Sequence, residues 1–431
     1  MHFSSGPATL QAPWPPADIT NDLKTRFPRN LLITAGILLL TASRSFGQAS
    51  DGGPDPATVR VRIGPVLINP TISMPNLGVD TNVFNDPPIV TPRRDFTMTI
   101  SPKADLWLPL GRTWLSGIVG ADIVWYQKYA TERSANQAYS LAWKAALNRI
   151  ILASNIGWVR TSTRPGYEID TRAQRNEPAY GASAEFRGFS RTFIGVRGSW
   201  SRVNFDEDEF YRGTDLNEQL DRRTRSAAVT LRHDLTALTS LTFSGGRSES
   251  QYEFEPTRDY TSDDYSAAVT FDPAALLKGS ARFGYTGYRT AAADLEDFNG
   301  MTMAVTLAYT LQGSTRFGVN LGRNIESSYD NDQPYYLLTG LSFSVEQQIY
   351  GPIDAVFRLG RQRLEYRSRT GADVAAENRT DHIQSIGGGV GYRLGQDLRL
   401  GFNIDREERL SPVTSQRYEG LRYGTAITFG P

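Results

Sequence analysis

The residues that could do chemistry in this chain are few and far apart. Its 431 residues include three histidines, His2, His233 and His382, and no cysteine. Without cysteine there is no disulfide framework, no thiolate metal site and no lipid-modified N-terminal cysteine. His233 and His382 have no recognisable nucleophile context, so an acyl-transfer site is not expected. The densest acidic run, Asp206-Glu207-Asp208-Glu209, has no histidine beside it and reads as a solvated loop. Gly387-Gly388-Gly389 lies inside an extended run with no helix after it, which fits close packing better than a phosphate cradle. The chain is expected to be no enzyme, with no catalytic residue, no cofactor and no metal. Its 46 basic and 46 acidic side chains cancel. With no basic excess, a nucleic-acid partner is not expected.

Charged and amide side chains nevertheless recur at regular places. Lys103, Asp105, Asp122, Lys144, Glu185, Arg197, Arg232, Arg282 and Arg316 each sit on the polar side of an alternating run. So do Asn320, Asn324, Glu346, Arg358, Gln362, Arg399, Asn403 and Arg422. Leu398, Leu400, Phe402 and Ile404 interleave with Arg399, Gly401, Asn403 and Asp405. Tyr139, Leu141, Trp143 and Ala145 interleave with Ser140, Ala142, Lys144 and Ala146. Successive side chains on a strand point to opposite faces, so each run has one apolar and one small or polar face.

A soluble sandwich would show the same alternation. Length argues against it, because many runs reach the roughly 9–11 residues that cross a membrane at a tilt. The connections argue further. Short ones such as Leu110-Gly111-Arg112, Gln312-Gly313-Ser314 and Gly395-Gln396-Asp397 alternate with long polar ones such as Ser162–Pro178, Phe205–Arg225 and Arg369–Thr380. Membrane barrels sort their connections in this way, with short periplasmic turns and long external loops. The expected fold is an all-β, closed antiparallel transmembrane barrel of about 18 strands, with 16 as the alternative. The first strand is placed near 62–73 and the last near 418–429. Aromatics at strand ends, Trp107, Trp114, Trp125, Trp200, Tyr285, Tyr309, Tyr335 and Phe429, are expected in the interfacial girdles. Charge on the lipid face costs about 2–4 kcal/mol for each Arg or Lys at the midplane, so the seventeen residues above are assigned to the lumen as pore-lining.

Arg26 and Arg29 precede an apolar run from Leu31 to Ala42, with Ser45 and Gly47 behind it. This is the pattern of a secretory signal peptide, too short to span a bilayer as a helix. Residues 1–47 are read as an N-terminal extension and signal peptide, 48–61 as a short periplasmic linker, and 62–431 as the barrel.

The last strand ends Arg422-Tyr423-Gly424-Thr425-Ala426-Ile427-Thr428-Phe429. It resembles the terminal assembly signal of outer-membrane barrels, with Gly424, Ile427 and Phe429 as its marks. That implies the barrel-assembly machinery as a partner. Gly430 and Pro431 follow the aromatic residue, where such proteins usually end on it. Gly64-Pro65, Pro70 and Gly78-Val79-Asp80-Thr81-Asn82-Val83-Phe84 resemble the start of the putative β-barrel porin 2 group, many members of which accompany exopolysaccharide loci. The resemblance implies a bacterial outer-membrane location among lipids and lipopolysaccharide. The expectation is a porin-like channel for hydrophilic solutes or exported polysaccharide. A non-conducting structural or binding barrel with a plugged lumen is the alternative, and a homo-oligomer is open in either case.

Overall fold

The computed structural model describes residues 59–430 apart from 273, 274, 373, 375 and 396. The expected signal peptide and most of the linker lie outside the described residues. The barrel strands are β1 Val66–Asp80, β2 Asp95–Leu110, β3 Thr113–Tyr126, β4 Ser134–Ala146, β5 Ile150–Thr163 and β6 Ala173–Phe189. They continue as β7 Thr192–Phe205, β8 Arg222–Asp234, β9 Thr239–Tyr252, β10 Tyr260–Phe271, β11 Leu277–Thr290 and β12 Phe298–Leu311. The last six are β13 Thr315–Ser327, β14 Tyr335–Tyr350, β15 Ile353–Arg367, β16 Thr380–Leu394, β17 Leu398–Leu410 and β18 Tyr418–Phe429. Each pairs antiparallel with its sequence neighbours, and β18 pairs with β1, so the sheet closes on itself at 18 strands. Closure leaves no open sheet edge, which hydrocarbon could not satisfy.

Burial is inverted relative to a water-soluble sheet. Val196, Val229, Tyr265 and Val390 are each more than half exposed. Their sequence neighbours of opposite parity, such as Arg232, Arg358 and Arg399, are buried. The apolar face is the outer one, as a hydrocarbon solvent requires.

Two ends differ in construction. At one end, eight tight connections join the strands, several turned by glycine at positive φ: Gly111 (64°), Gly313 (71°), Gly351 (53°) and Gly395 (69°). At the other end, nine longer loops emerge: L1 81–94, L2 127–133, L3 164–172, L4 206–221, L5 253–259, L6 291–297, L7 328–334, L8 368–379 and L9 411–417. L4 carries a two-residue hairpin and a short helix, α1 Leu216–Leu220. Its N-cap Asp215 accepts from the Asn217 and Glu218 N–H groups.

The first strand starts and ends later than 62–73. Val61–Ile63 pairs back on Val66–Ile68 through Gly64-Pro65, with Gly64 at φ 58°. Proline has no N–H to continue a ladder, so the chain reverses there and β1 begins after it. Pro75 falls at a register shift on both flanks of β1, the place where a sheet tolerates it. The β1–β18 seam closes on a glycine pair. A Cβ on Gly78 would lie 2.5 Å from the Gly424 Cα, and one on Gly424 would lie 2.7 Å from the Gly78 Cα.

Three aromatics are not in a girdle. Trp107 and Trp114 share the inward parity of Lys103 and Asp122. Tyr335 is 1% exposed. The reason for Tyr335 lies in the ladder. The β12–β13 pairing runs only from Met303↔Arg323 to Leu311↔Thr315, while β13–β14 continues to Ser327↔Tyr335. The tip of the β13–β14 hairpin thus parts from β12, and Tyr335, Tyr336, Leu337 and Leu338 are all buried, on both faces.

Candidate functional site: the lumen and its loop lid

All seventeen charged and amide residues singled out above occupy register positions of opposite parity to the exposed apolar side chains. Most are tied to neighbouring polar side chains. Lys103 Nζ lies 3.0 Å from Asp105, and Arg422 Nε lies 2.8 Å from Asp80. Ser101 Oγ donates to Asp122 at 2.5 Å, Asn320 Nδ2 to Ser342 Oγ at 3.2 Å and Asn324 Nδ2 to Glu326 at 2.6 Å. Arg316 stands opposite Glu346 in the β13–β14 register, and Glu346 accepts from Arg393 Nη2 at 3.1 Å. Lys144 and Arg316 are each engaged by neighbours. Gln362 faces the bare Cα of Gly340. Arg197 and Arg282 have no hydrogen bond or ion pair among the described residues.

Several pairs reach over an intervening strand, and glycine makes the reach possible. Arg358 on β15 bonds Asp405 on β17 at 2.9 and 3.1 Å and Asn403 at 3.3 Å, passing over β16. A Cβ on Gly387 would sit 1.8 Å from Asp405 Oδ1, and one on Gly389 would sit 2.2 Å from Asn403 Oδ1. Asp354 on β15 likewise receives Arg399 Nε from β17 at 2.9 Å across Gly391. Glu185 on β6 receives Arg232 Nη2 from β8 at 2.9 Å across Gly195, and Arg232 also pairs with Asp234. The glycine run in β16 is therefore a strip of bare wall over which its neighbours hold hands.

The loop end is built differently. L3 connects β5 to β6, yet its middle rests on β14–β17, on the opposite side of the ring. Glu168 is 1% exposed. It accepts Ser328 Oγ at 2.8 Å and the Tyr329 N–H at 3.1 Å, with Arg379 Nη2 at 3.6 Å. Arg409 at the end of β17 donates through Nη1 to the Tyr167 and Glu168 carbonyls at 3.1 and 3.3 Å. Its Nη2 donates to Asp381 at 2.7 Å. The Tyr167 side chain packs on Tyr336, Leu338, Leu364, Tyr366 and Ile383. On the near side, Arg164 Nη2 donates to the Val83 carbonyl at 2.9 Å, Asn85 Nδ2 to Asp170 at 2.8 Å and Arg172 Nη1 to Glu132 at 2.9 Å. L3 is thus pinned to L1, L2, L7, L8 and the far wall.

Other loops close around it. Ile169, Leu216, Leu220, Tyr211 and Tyr329 form one buried cluster from L3, L4 and L7. Arg258 of L5 bonds Gln219 at 2.8 Å and the L7 carbonyls of Ser328 and Pro334. Arg212 of L4 donates to the Ser415 carbonyl of L9 at 2.6 Å, and Arg369 of L8 to Asp294 of L6 at 3.0 Å.

The electrostatics of this lid follow from burial. Glu168 is pushed up to about 7 by desolvation, which the charge of Arg379 and the Ser328 hydrogen bond only partly offset. Burial also raises Asp170 against the pull of Arg409 and Arg164, and it raises Asp221 to about 6. Asp86 in L1 goes the other way, held low by its hydrogen bonds from Arg93. Within the lid, Arg379 Nε and Nη2 and Asp381 Oδ1 are buried with no hydrogen-bond partner among the described residues, Arg379 reaching Glu168 and Asp381 only as loose ion pairs at 3.6 and 3.9 Å. Each such group costs roughly 1–3 kcal/mol, so the lid core is polar and under-satisfied.

Sequence reasoning singled out L3 and L4 only as long loops. Glu168, Arg379 and Arg409 went unmarked because their partners are far off in sequence. The signal at Arg409 was its inward parity at the loop-side end of β17. The acidic run of L4 binds protein: Asp206 accepts Gln174 Nε2 at 2.6 Å and Glu209 accepts the Gln174 N–H at 2.9 Å. No group of three or more candidate ligands for a metal ion occurs among the described residues. In the last strand, Gly424 packs at the seam, while Ile427 and Phe429 stand opposite Leu400 and Leu398.

Solved structures resemble this architecture at low identity. OpdK from Pseudomonas aeruginosa matches with TM-score 0.46 and 8% identity, over 86% of this chain and 100% of that one. A BenF-like porin from Pseudomonas fluorescens Pf-5 matches with TM-score 0.46 and 9% identity, over 84% and 99%. OprD from Pseudomonas aeruginosa matches with TM-score 0.37 and 9% identity, over 88% and 98%. No curated protein matches the chain. The family model described as "Putative beta-barrel porin 2" matches residues 55–429, which is nearly the whole barrel. This chain is an outer-membrane barrel and belongs to that porin family.

Proposed function

We propose that the protein is a channel for hydrophilic solutes whose cell-surface mouth is closed by L3, and that it conducts when L3 leaves the far wall. The long-loop end is taken as the external one by the usual sorting of connections in outer-membrane barrels. The observation that carries the reading is the pairing of a polar, charged lumen with a lid held across it by side-chain bonds. An 18-stranded wall is wide enough for an aqueous passage. The seventeen inward residues would line it, and Arg197 and Arg282, being uncompensated, would favour anions slightly. An exported polysaccharide is a second cargo of the same chemistry, and it would require the lid to stay displaced during passage.

The rival is a plugged, non-conducting barrel, favoured by how completely Glu168 and Arg409 are buried. Swelling of proteoliposomes in a series of sugars and organic acids separates the two. The channel reading expects swelling that slows with solute size and speeds up when residues 165–171 are replaced by a short Gly-Ser link. No swelling from either well-folded protein would sink it. Assembly through Gly424, Ile427 and Phe429 by the barrel machinery belongs to the same proposal, as do the export segment 1–47, the periplasmic linker 48–61 and any homo-oligomer.

A further inference from the structure

Near the loop end the outer wall is aromatic on β3–β7 and turns charged at β8–β9. On β3–β7 the outward positions near the loop end hold Trp125, Tyr139, Trp158, Tyr180 and Trp200, with Tyr139 stacked on Trp158 (5.5 Å) and Tyr180 beside Trp200 (5.2 Å). Trp200 faces Arg225 across the β7–β8 register, and there the belt changes character. The outward residues of β8 run Arg223, Arg225, Ala227, Val229 and Leu231 toward the turn end. On β9 they run Gln251, Glu249, Arg247, Gly245 and Phe243, each opposite its β8 counterpart. The apolar band begins only below Ala227 and Arg247.

Arg223 and Arg225 are exposed and have no hydrogen bond or ion pair among the described residues. Arg247 is 63% exposed and has only a loose contact with Asp263 at 3.8 Å, an acid that Arg289 approaches more closely at 3.2 Å. Arg202 at the upper edge pairs through Nη2 with Glu253 at 2.5 Å. Three arginine heads therefore share one patch, where the carboxylate opposite Arg225, Glu249, already accepts Gln251 Nε2 at 2.8 Å. An outward Arg costs little at the interface and about 2–4 kcal/mol at the midplane. Their height immediately above the apolar band matches the level of lipid headgroups.

We infer that Arg223, Arg225 and Arg247 form a binding site for the phosphate groups of an outer-leaflet glycolipid. The acyl chains would lie against Val229, Leu231 and Phe243, and Trp200 would border the headgroup. Guanidinium forks pair with phosphate bidentately, and a phosphorylated lipid brings both the anion and the apolar tail this surface asks for. The inference rests on the outer-membrane location and the orientation of the loop end, and it does not depend on conduction.

Native mass spectrometry of delipidated protein in detergent tests it, with diphosphoryl lipid A, the same lipid stripped of phosphate, and inorganic phosphate as probes. Wild type should hold diphosphoryl lipid A at least tenfold more tightly than the dephosphorylated form. The R223Q/R225Q/R247Q variant should lose that preference, and R361Q/R363Q on β15 should keep it. Equal binding by the triple variant would overturn the site, and so would indifference of wild type to the phosphates. Displacement of the lipid by millimolar inorganic phosphate would overturn the lipid assignment in favour of a soluble anion. R225Q alone, expected to lose part of the preference, serves if the triple variant lacks the heat-shifted mobility of a folded barrel.

Discussion

The turn-side half and the loop end of this barrel solve the same problem, charge away from bulk water, in opposite ways. In the turn-side half the charges lie along the wall. Pairs such as Arg358–Asp405 and Asp354–Arg399 reach over bare glycines. At the loop end the charges cross the ring, and Glu168 from one side is caught against the far wall by L7, L8 and Arg409. The first arrangement is made by neighbours in the sheet and is as durable as the sheet. The second is made by loops that cross the barrel, tied by side-chain bonds rather than by a ladder, and is the part that can come undone.

The contrast can be broken most severely at Arg409, whose side chain is fully buried. Arg409→Met removes its bonds to Asp381 and to the L3 carbonyls and leaves the buried Asp381 carboxylate with only the loose Arg379 contact at 3.9 Å, a loss of roughly 3 kcal/mol. Limited proteolysis should then cut L3 while the barrel keeps its heat-modifiable migration. Loss of both together would mean that lid and wall are one unit.

Next comes pH. The folded value of Glu168, about 7, stands above its ordinary 4.5. The closed lid therefore keeps a proton that an open one releases between those values. Closure is fully supported below about 4.5 and loses support as pH rises through about 7, a swing on the order of 3 kcal/mol. The groups facing Glu168 are Arg379, Arg409, Ser328, Tyr329, Tyr336 and Tyr366. Asp221, raised to about 6, acts in the same direction. Hydrogen exchange in L3 should speed up at least tenfold beyond the intrinsic rate between pH 5 and pH 8. Glu168→Gln should flatten that profile, and an unchanged profile in the variant would remove Glu168 from the account.

Smaller effects sharpen the turn-side half. Gly391→Ala puts a methyl where Arg399 Nη2 and Asp354 Oδ1 already lie, at 2.3 and 2.5 Å. A cost of about 1–3 kcal/mol in urea unfolding is expected. Gly340→Ala, whose nearest contact is 3.7 Å, should be close to neutral. Equal costs would show that the strand-skipping pairs do not need the bare wall. The smallest change is expected for R197Q/R282Q. The lidless barrel should lose its slight anion preference in reversal-potential measurements with little change in total conductance.

Much of the wall could be read from residue order because each strand states its own orientation. Leu398 to Asp405 alternates in sequence as it does in space, and the hydrocarbon solvent enforces that rule at every strand. The exceptions are local events with local marks, such as Gly64-Pro65 reversing the chain before β1. The lid left no such trace. Glu168 meets Ser328, Arg379 and Arg409 across gaps of 160 residues or more in sequence, and no periodicity encodes a loop's crossing of a ring. Tyr335 and Leu337 are a separate case, with Tyr335 buried against Tyr252, Tyr260, Tyr288 and Leu295. Their alternation promised one lipid face, but the hairpin tip parts from β12 and is buried on both sides.

The most direct measurement is single-channel current in planar bilayers for the wild-type protein and for the variant with residues 165–171 replaced by a Gly-Ser link. The account predicts small or infrequent steps for wild type and large, long-lived steps for the lidless barrel. Identical currents from the two, or silence from a lidless barrel shown to be folded, would contradict it.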